Sequence, residues 1–176
     1  MECVQLSVYD TLKVRLNEEG RIIFADDAFL KFTGFSIDDL VGEPFSALLV
    51  DDFADGGYDQ MIFPFVLQNK KFYFLMSGRM KDGKCYWGIV RSSHYYTTKG
   101  SQQPKFLIEI KMLPEQSAEM VADLFGKLIE IKRNAGAEYA IKYFQGYLEE
   151  NGMDIENFAL KVLGIKEKKL DKYFQI

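Results

Sequence analysis

Histidine occurs once, at His94, tryptophan once, at Trp87, cysteine twice, at Cys3 and Cys85, and proline four times in 176 residues. Each scarcity removes a class of function. Two cysteines are too few for a disulfide framework, so both are expected as reduced thiols. Neither has a histidine at ligand spacing, which excludes a structural zinc site. With no serine or cysteine legibly paired to it, His94 makes no nucleophile–base couple. It is expected to be structural at a loop mouth beside Tyr95 and Tyr96, with haem ligation as the alternative. There is no P-loop, Rossmann fingerprint or zinc-hydrolase motif. No apolar run approaches the roughly 18 residues of a membrane-spanning helix. The N-terminus, broken by Glu2 and Asp10, has no signal-peptide core. The expectation is a cytoplasmic, non-enzymatic protein without membrane insertion. A formal charge of −4 argues against nucleic acid as partner. The acids are densest before residue 60, where Asp38, Asp39, Glu43, Asp51 and Asp52 outnumber the cations. A solvated face accounts for them, with a basic partner as the alternative.

What is abundant is apolar and aromatic. Such residues make up 48% and 15% of the chain, enough for an ordinary core. Leu12, Val14 and Leu16 alternate with Lys13, Arg15 and Asn17, the period of a half-buried strand. Asn17-Glu18-Glu19-Gly20 is turn chemistry, and Arg21 to Phe24 reads as the return strand. The period then changes. Ala28, Phe29 and Phe32 share one face of a short helix that Gly34 terminates. Ser36 and Asp39 have the spacing of a capping box, and Pro44 sets up a third helical piece through Leu49. Residues 51–69 are the least legible, and Pro64 argues there against an uninterrupted helix. Phe72–Met80 and Cys85–Tyr96 are apolar runs joined by Lys81-Asp82-Gly83-Lys84, a hairpin signal. Phe106, Ile108, Ile110 and Met112 alternate as a fifth strand. From Pro114 the pattern is helical. Val121, Leu124, Leu128 and Ile131 predict an amphipathic helix over 115–133. Ala137, Ile141, Phe144 and Leu148 predict a second, closed by Asn151-Gly152, and Asp154 caps a short third. The first ten residues are read as a helix or an arm on the sheet.

A hairpin followed by very short helices suits a small cavity walled against a sheet. The fragment Gly20–Phe29, with Thr33-Gly34-Phe35-Ser36 and Leu40-Val41-Gly42, resembles the opening half of a PAS sensor domain. The implied fold is α+β: a five-stranded antiparallel sheet with short helices walling a pocket, over residues 1–113. Residues 114–176 follow as a C-terminal helical extension. Arg79 to Trp87, RMKDGKCYW, is similar to a hairpin of aerotaxis-receptor-type PAS domains. Lys127–Gly136 and Tyr147–Leu160 are similar to the helical extension of some of them. That subfamily binds FAD and signals to a membrane chemotaxis receptor, some members being stand-alone proteins. The resemblance thus implies a bacterial redox- or energy-taxis sensor that relays the state of its pocket ligand to such a receptor or another signalling protein.

If the resemblance holds, Phe24, Phe29, Phe32, Phe72, Phe74 and Trp87 converge on the concave side of the sheet with Asp26, where a planar ligand would stack. Haem is the alternative cofactor. The family's Arg-His-Pro-Asp stretch is replaced here by Val50-Asp51-Asp52-Phe53, its pocket tryptophan by Phe72, and its asparagine by Asp26. Losing the arginine removes a partner for a pyrophosphate. The competing reading is a cofactor-free interaction or dimerisation module, homo- or heterodimeric, whose aromatic core fills itself.

Overall fold

The computed structural model describes Cys3 and residues 11–50, 58–59, 62–164 and 170–175. The predicted hairpin forms from β1 (Leu12–Leu16) and β2 (Ile22–Ala25). Leu12, Val14 and Leu16 are buried while Lys13 and Arg15 point the other way. Asp26 then caps α1 (Asp27–Thr33), accepting from the Phe29 amide at 2.9 Å. Gly34 ends the helix at φ 77°, a left-handed conformation that side-chain-bearing residues avoid. The capping box of α2 (Ile37–Leu40) is present in both directions between Ser36 and Asp39. After Pro44 the chain makes a 3-10 turn over Phe45–Leu48. Residues 51–57, 60 and 61, within the least legible stretch, lie outside the described residues, as does most of the N-terminal arm.

Pro64 stands at the start of a short helix, not inside a long one. It sits in the first turn of α3 (Phe63–Gln68), where the amide it lacks has no intrahelical partner anyway. The hairpin β3 (Lys71–Arg79) and β4 (Cys85–Tyr95) turns through Gly83, and β5 is Lys105–Met112. The strands pair antiparallel, in the order β2-β1-β5-β4-β3. The two hairpins are therefore stitched together by β1 against β5, which sets the sequence-distant ends side by side.

The extension comprises α4 (Glu115–Ala135), α5 (Ala137–Glu150), α6 (Ile155–Val162) and a helix not foreseen from the sequence, α7 (Leu170–Tyr173). Two cores result. One lies on the concave face under α1 to α3 and includes Phe29, Phe45, Tyr58, Phe74 and Tyr86. The other lies on the opposite face, where Leu75, Ile89 and Leu113 meet Val121, Leu124, Phe125, Leu128, Phe158 and Leu170. The sheet is thus apolar on both faces, which explains the unbroken apolar runs of β3 and β4.

Cys3 and Cys85 do not remain thiols. They form a disulfide, with Cα atoms 4.2 Å apart and a separation of 82 positions in sequence. The expectation of reduced thiols counted cysteines, whereas pairing depends on proximity, and nothing in the sequence places residue 3 beside the start of β4. Closing a loop of this length contributes about 4–5 kcal/mol in the chain-entropy treatment.

Because the extension covers apolar strands, its removal has a specific consequence. Deleting residues 115–176 should leave Leu75, Ile89, Leu113 and Trp87 uncovered, and the remaining domain should self-associate. Sedimentation velocity of the full chain and the truncation checks this, and a monodisperse, folded truncation would show the cover to be dispensable.

Candidate functional site

The concave face was expected to hold a ligand against seven residues. Four of the six rings do face that side. Phe29 and Phe74 are buried in the concave core, with Phe32 and Phe72 packed at its margin. Asp26 is occupied as the cap of α1. Phe24 and Trp87 do not belong to this wall. Phe24 pairs with Arg15 across β1–β2 on the outward side, where it is 43% exposed beneath the guanidinium at 5.3 Å. The β-bulge between Arg15 and Leu16 accompanies that pairing. Trp87 follows the inward Tyr86 and so points to the other face, edge-on to Phe125 of α4 at 5.4 Å. Successive strand residues alternate sides. A run apolar on both faces conceals which residue takes which side.

The inward rings pack on one another. Tyr58 lies 5.1 Å from Phe45, 5.8 Å from Phe63 and 6.0 Å from Phe74, and Phe32 meets Tyr86 edge-on at 5.2 Å. A flavin sandwiched between two rings would need them about 7 Å apart, twice a carbon–carbon contact. The seven residues, split between two faces and partly in mutual contact, do not fit FAD. Tyr86 lies on the backbone of Gly78, whose missing Cβ would come within 2.2 Å of the ring. The hydroxyls of Tyr58, Tyr86 and Ser92 are buried on this side without hydrogen-bond partners among the described residues, and burial pushes both phenols well above the usual tyrosine range. His94 is structural: its Nε2 meets the Val66 carbonyl at 2.7 Å, and its ring stands edge-on to Phe106. That contact occupies the nitrogen a haem iron would need.

The polar chemistry gathers on the opposite face. Arg91 of β4 points outward with its side chain only 13% exposed, and opposes Glu109 of β5 in register. Its guanidinium reaches Glu109 Oε2 through Nη2 at 2.6 Å and Nε at 2.7 Å, a forked arrangement. Nη1 reaches Asp171 of α7 at 3.2 Å, and the Phe174 ring lies 4.7 Å from the guanidinium carbon. Asp171 also accepts from Lys71 at 2.6 Å and from the Tyr73 hydroxyl. Burial alone would raise the Asp171 carboxyl, but the hydrogen bonds from Lys71 and Tyr73 outweigh it and hold the group below the ordinary carboxylate value. Burial, and then the bond to Asp171, pushes the Tyr73 phenol up, keeping it a donor. Three outward residues of the β3–β4 hairpin thus hold one carboxylate from the far end of the chain.

A cavity of about 440 Å³ lies beside this latch, between α3, the edge strand β3 and helices α4 to α6. Among the described residues there is no cluster of three or more metal-ligating side chains and no helix long and apolar enough to cross a membrane.

Comparison with known proteins bears on the sheet and its short helices. The PAS domain family profile matches residues 11–110, more than half of the chain. The chain belongs to the PAS domain family. A solved PAS structure shares that fold, and others resemble it less closely. A PAS domain from Colwellia psychrerythraea is 19% identical, with a TM-score of 0.51, and the match covers 61% of this chain and 89% of that one. A PAS domain from Desulfitobacterium hafniense is 22% identical, covering 61% and 95% at a TM-score of 0.48. The PAS-B domain of Drosophila melanogaster Cycle is 14% identical, covering 57% and 98% at 0.49. No curated protein matches.

The matched segment ends before α4, so the latch joins the PAS sheet to elements outside it. Sequence reasoning missed its members Lys71, Tyr73, Arg91, Glu109 and Asp171, which lie up to 100 residues apart. The available signal was polarity out of place: Arg91 interrupts an apolar strand. Within the PAS interior, the orphan hydroxyl of Tyr86 separates the two ligand readings. In a self-filled core, Tyr86→Phe removes a polar group buried without a partner and should raise stability by about 1 kcal/mol. Thermal and denaturant unfolding check this, and a loss of stability would show that the hydroxyl bonds something held inside.

Proposed function

We propose that this PAS protein is a non-enzymatic signal-transduction module whose output element is the C-terminal extension, docked on the outer face of the sheet and released to engage a signalling partner. The observation that supports this is the seating of α7 through Asp171 on Lys71, Tyr73 and Arg91. Only four residues long, α7 owes its position to that carboxylate, to Leu170, which is buried, and to the aromatic contacts of Phe174 with Tyr73 and Arg91. A short element held by a few strong contacts undocks at far lower free energy than the sheet beneath it. Undocking exposes a basic and aromatic surface on the hairpin, the kind of surface a carboxylate-bearing segment of a partner or a second copy would occupy. A cytoplasmic location suits such a relay.

The aerotaxis-type resemblance of residues 79–87, 127–136 and 147–160 supports a membrane chemotaxis receptor as that partner. The FAD part of that reading is opposed by the ring packing of the concave core. The redox part has support in a different group, the Cys3–Cys85 pair, which can cycle between dithiol and disulfide. The visible spectrum of freshly purified protein separates the cases: flavin bands or a Soret band would restore a cofactor, and a colourless protein favours the relay with a self-filled interior.

The relay reading predicts an outcome at Asp171. Asp171→Ala should undock α7 at a cost on the order of 1 kcal/mol, since a carboxylate more than a third exposed is screened by solvent. Limited proteolysis should then clip the C-terminus while the sheet resists. The sign of the pH dependence follows from the lowered carboxyl. Docking is fully present above the ordinary aspartate value of 3.8 and is lost as pH falls through the lower folded-state value. Equal protease resistance of wild type and variant would remove the carboxylate latch.

A further inference from the structure

The cavity beside the latch opens around the edge of the sheet, with Phe72 and Phe74 from the concave side of β3 and Tyr73 and Leu75 from its outer side. Its floor is the edge strand β3 with Phe65 of α3, and its far wall is Leu128 of α4, Ile141 and Leu148 of α5, and Ile155 of α6. The lining is almost wholly apolar. At about 440 Å³ it lies within the range of small-molecule sites, roughly 300–1,000 Å³.

The shape and charge of the walls narrow the occupant. Phe65 and Phe72 are stacked 11° from parallel at 5.5 Å, and Phe74 continues the series at 25° and 6.2 Å. These rings stack on one another, so what they contribute to the wall is apolar surface that accommodates an apolar molecule. Charge is confined to Lys132, Glu149 and Asp154. Two carboxylates against one ammonium disfavour an anion, while the neighbouring Gln145 amide offers neutral hydrogen bonding. We infer that this cavity is a binding site for a neutral, apolar molecule of small-ligand size, held between the PAS sheet edge and the helical extension.

Such a ligand would touch both parts at once, because its walls come from α3 and β3 on one side and from α4 to α6 on the other. It would therefore strengthen the docking of the extension by its own binding free energy, and the extension's departure would empty the site. The inference rests on the relay reading for its consequence but not for its existence.

The protein carries a reporter. Trp87, the only tryptophan, packs edge-on against Phe125, which lines the cavity. The test titrates the full chain with Prodan, a neutral planar naphthalene dye, and with its anionic analogue anilinonaphthalene sulfonate. Prodan is expected to bind at about one per chain with quenching of Trp87 emission, and the anionic dye more weakly. Ile141→Phe, which extends a ring into the cavity, should weaken Prodan about tenfold or more, a difference of about 1.4 kcal/mol. Leu148→Phe serves the same purpose if circular dichroism shows that the first variant is misfolded. Glu149→Gln should strengthen the anionic dye and leave Prodan unchanged. Absence of saturable Prodan binding, or binding indifferent to both cavity-filling variants, overturns the site. So does a protein that is dimeric without dye and takes it up only on dissociation, which would make this face an interface between copies. Failure of Prodan while Asp171→Ala still frees α7 removes the ligand site and leaves the relay standing.

Discussion

One arginine sets the terms for the outer half of this molecule. Arg91 stands in a sheet face where Leu75, Trp87 and Ile89 pack against the extension, and brings a charge that cannot be left there alone. Glu109 on the neighbouring strand answers most of it, and Asp171 brings a second carboxylate from the end of the chain. Replacing such a buried pair by apolar residues is often neutral, whereas removing one partner costs about 3–5 kcal/mol. The arrangement therefore specifies where α7 lands more than it adds stability. A purely apolar face would accept the extension in many registers.

The two faces of the sheet differ in what they leave open. Inside, aromatic rings from α1 to β5 close on each other, and the polar atoms left over are hydroxyls, not charges. Outside, the contacts are ionic and reversible, and an apolar cavity lies where sheet edge and extension meet. A PAS sheet covered in this way has its variable chemistry at the junction with the extension, where small free-energy changes shift populations between docked and undocked states.

Much of the fold was legible because local rules agreed with one another. Leu12, Val14 and Leu16 alternate as only a half-buried strand does, Ser36 and Asp39 announce a helix start, and Gly34 and Gly136 mark helix ends. The site was less legible. Phe72 to Met80 and Cys85 to Val90 are apolar on both faces, so no alternation betrays that Trp87 turns away from Phe74. Pro64 argues against a long helix in its stretch, but nothing local tells that a short one starts at Phe63. Cys3 with Cys85, and Asp171 with Arg91, are pairings across 82 and 80 residues that no local pattern encodes. What periodicity cannot supply is tertiary proximity, and here proximity carries the candidate chemistry.

The claim that α7 is a releasable latch on a stable sheet is tested most directly by native-state hydrogen exchange. Amides of residues 170–174 should exchange through a local opening well below the free energy of global unfolding, while amides of β3 and β4 exchange only with the whole molecule. The gap between the two should narrow in Asp171→Ala only from the α7 side. If α7 and the central strands share one exchange free energy, the extension is an inseparable part of the core and the relay account is contradicted.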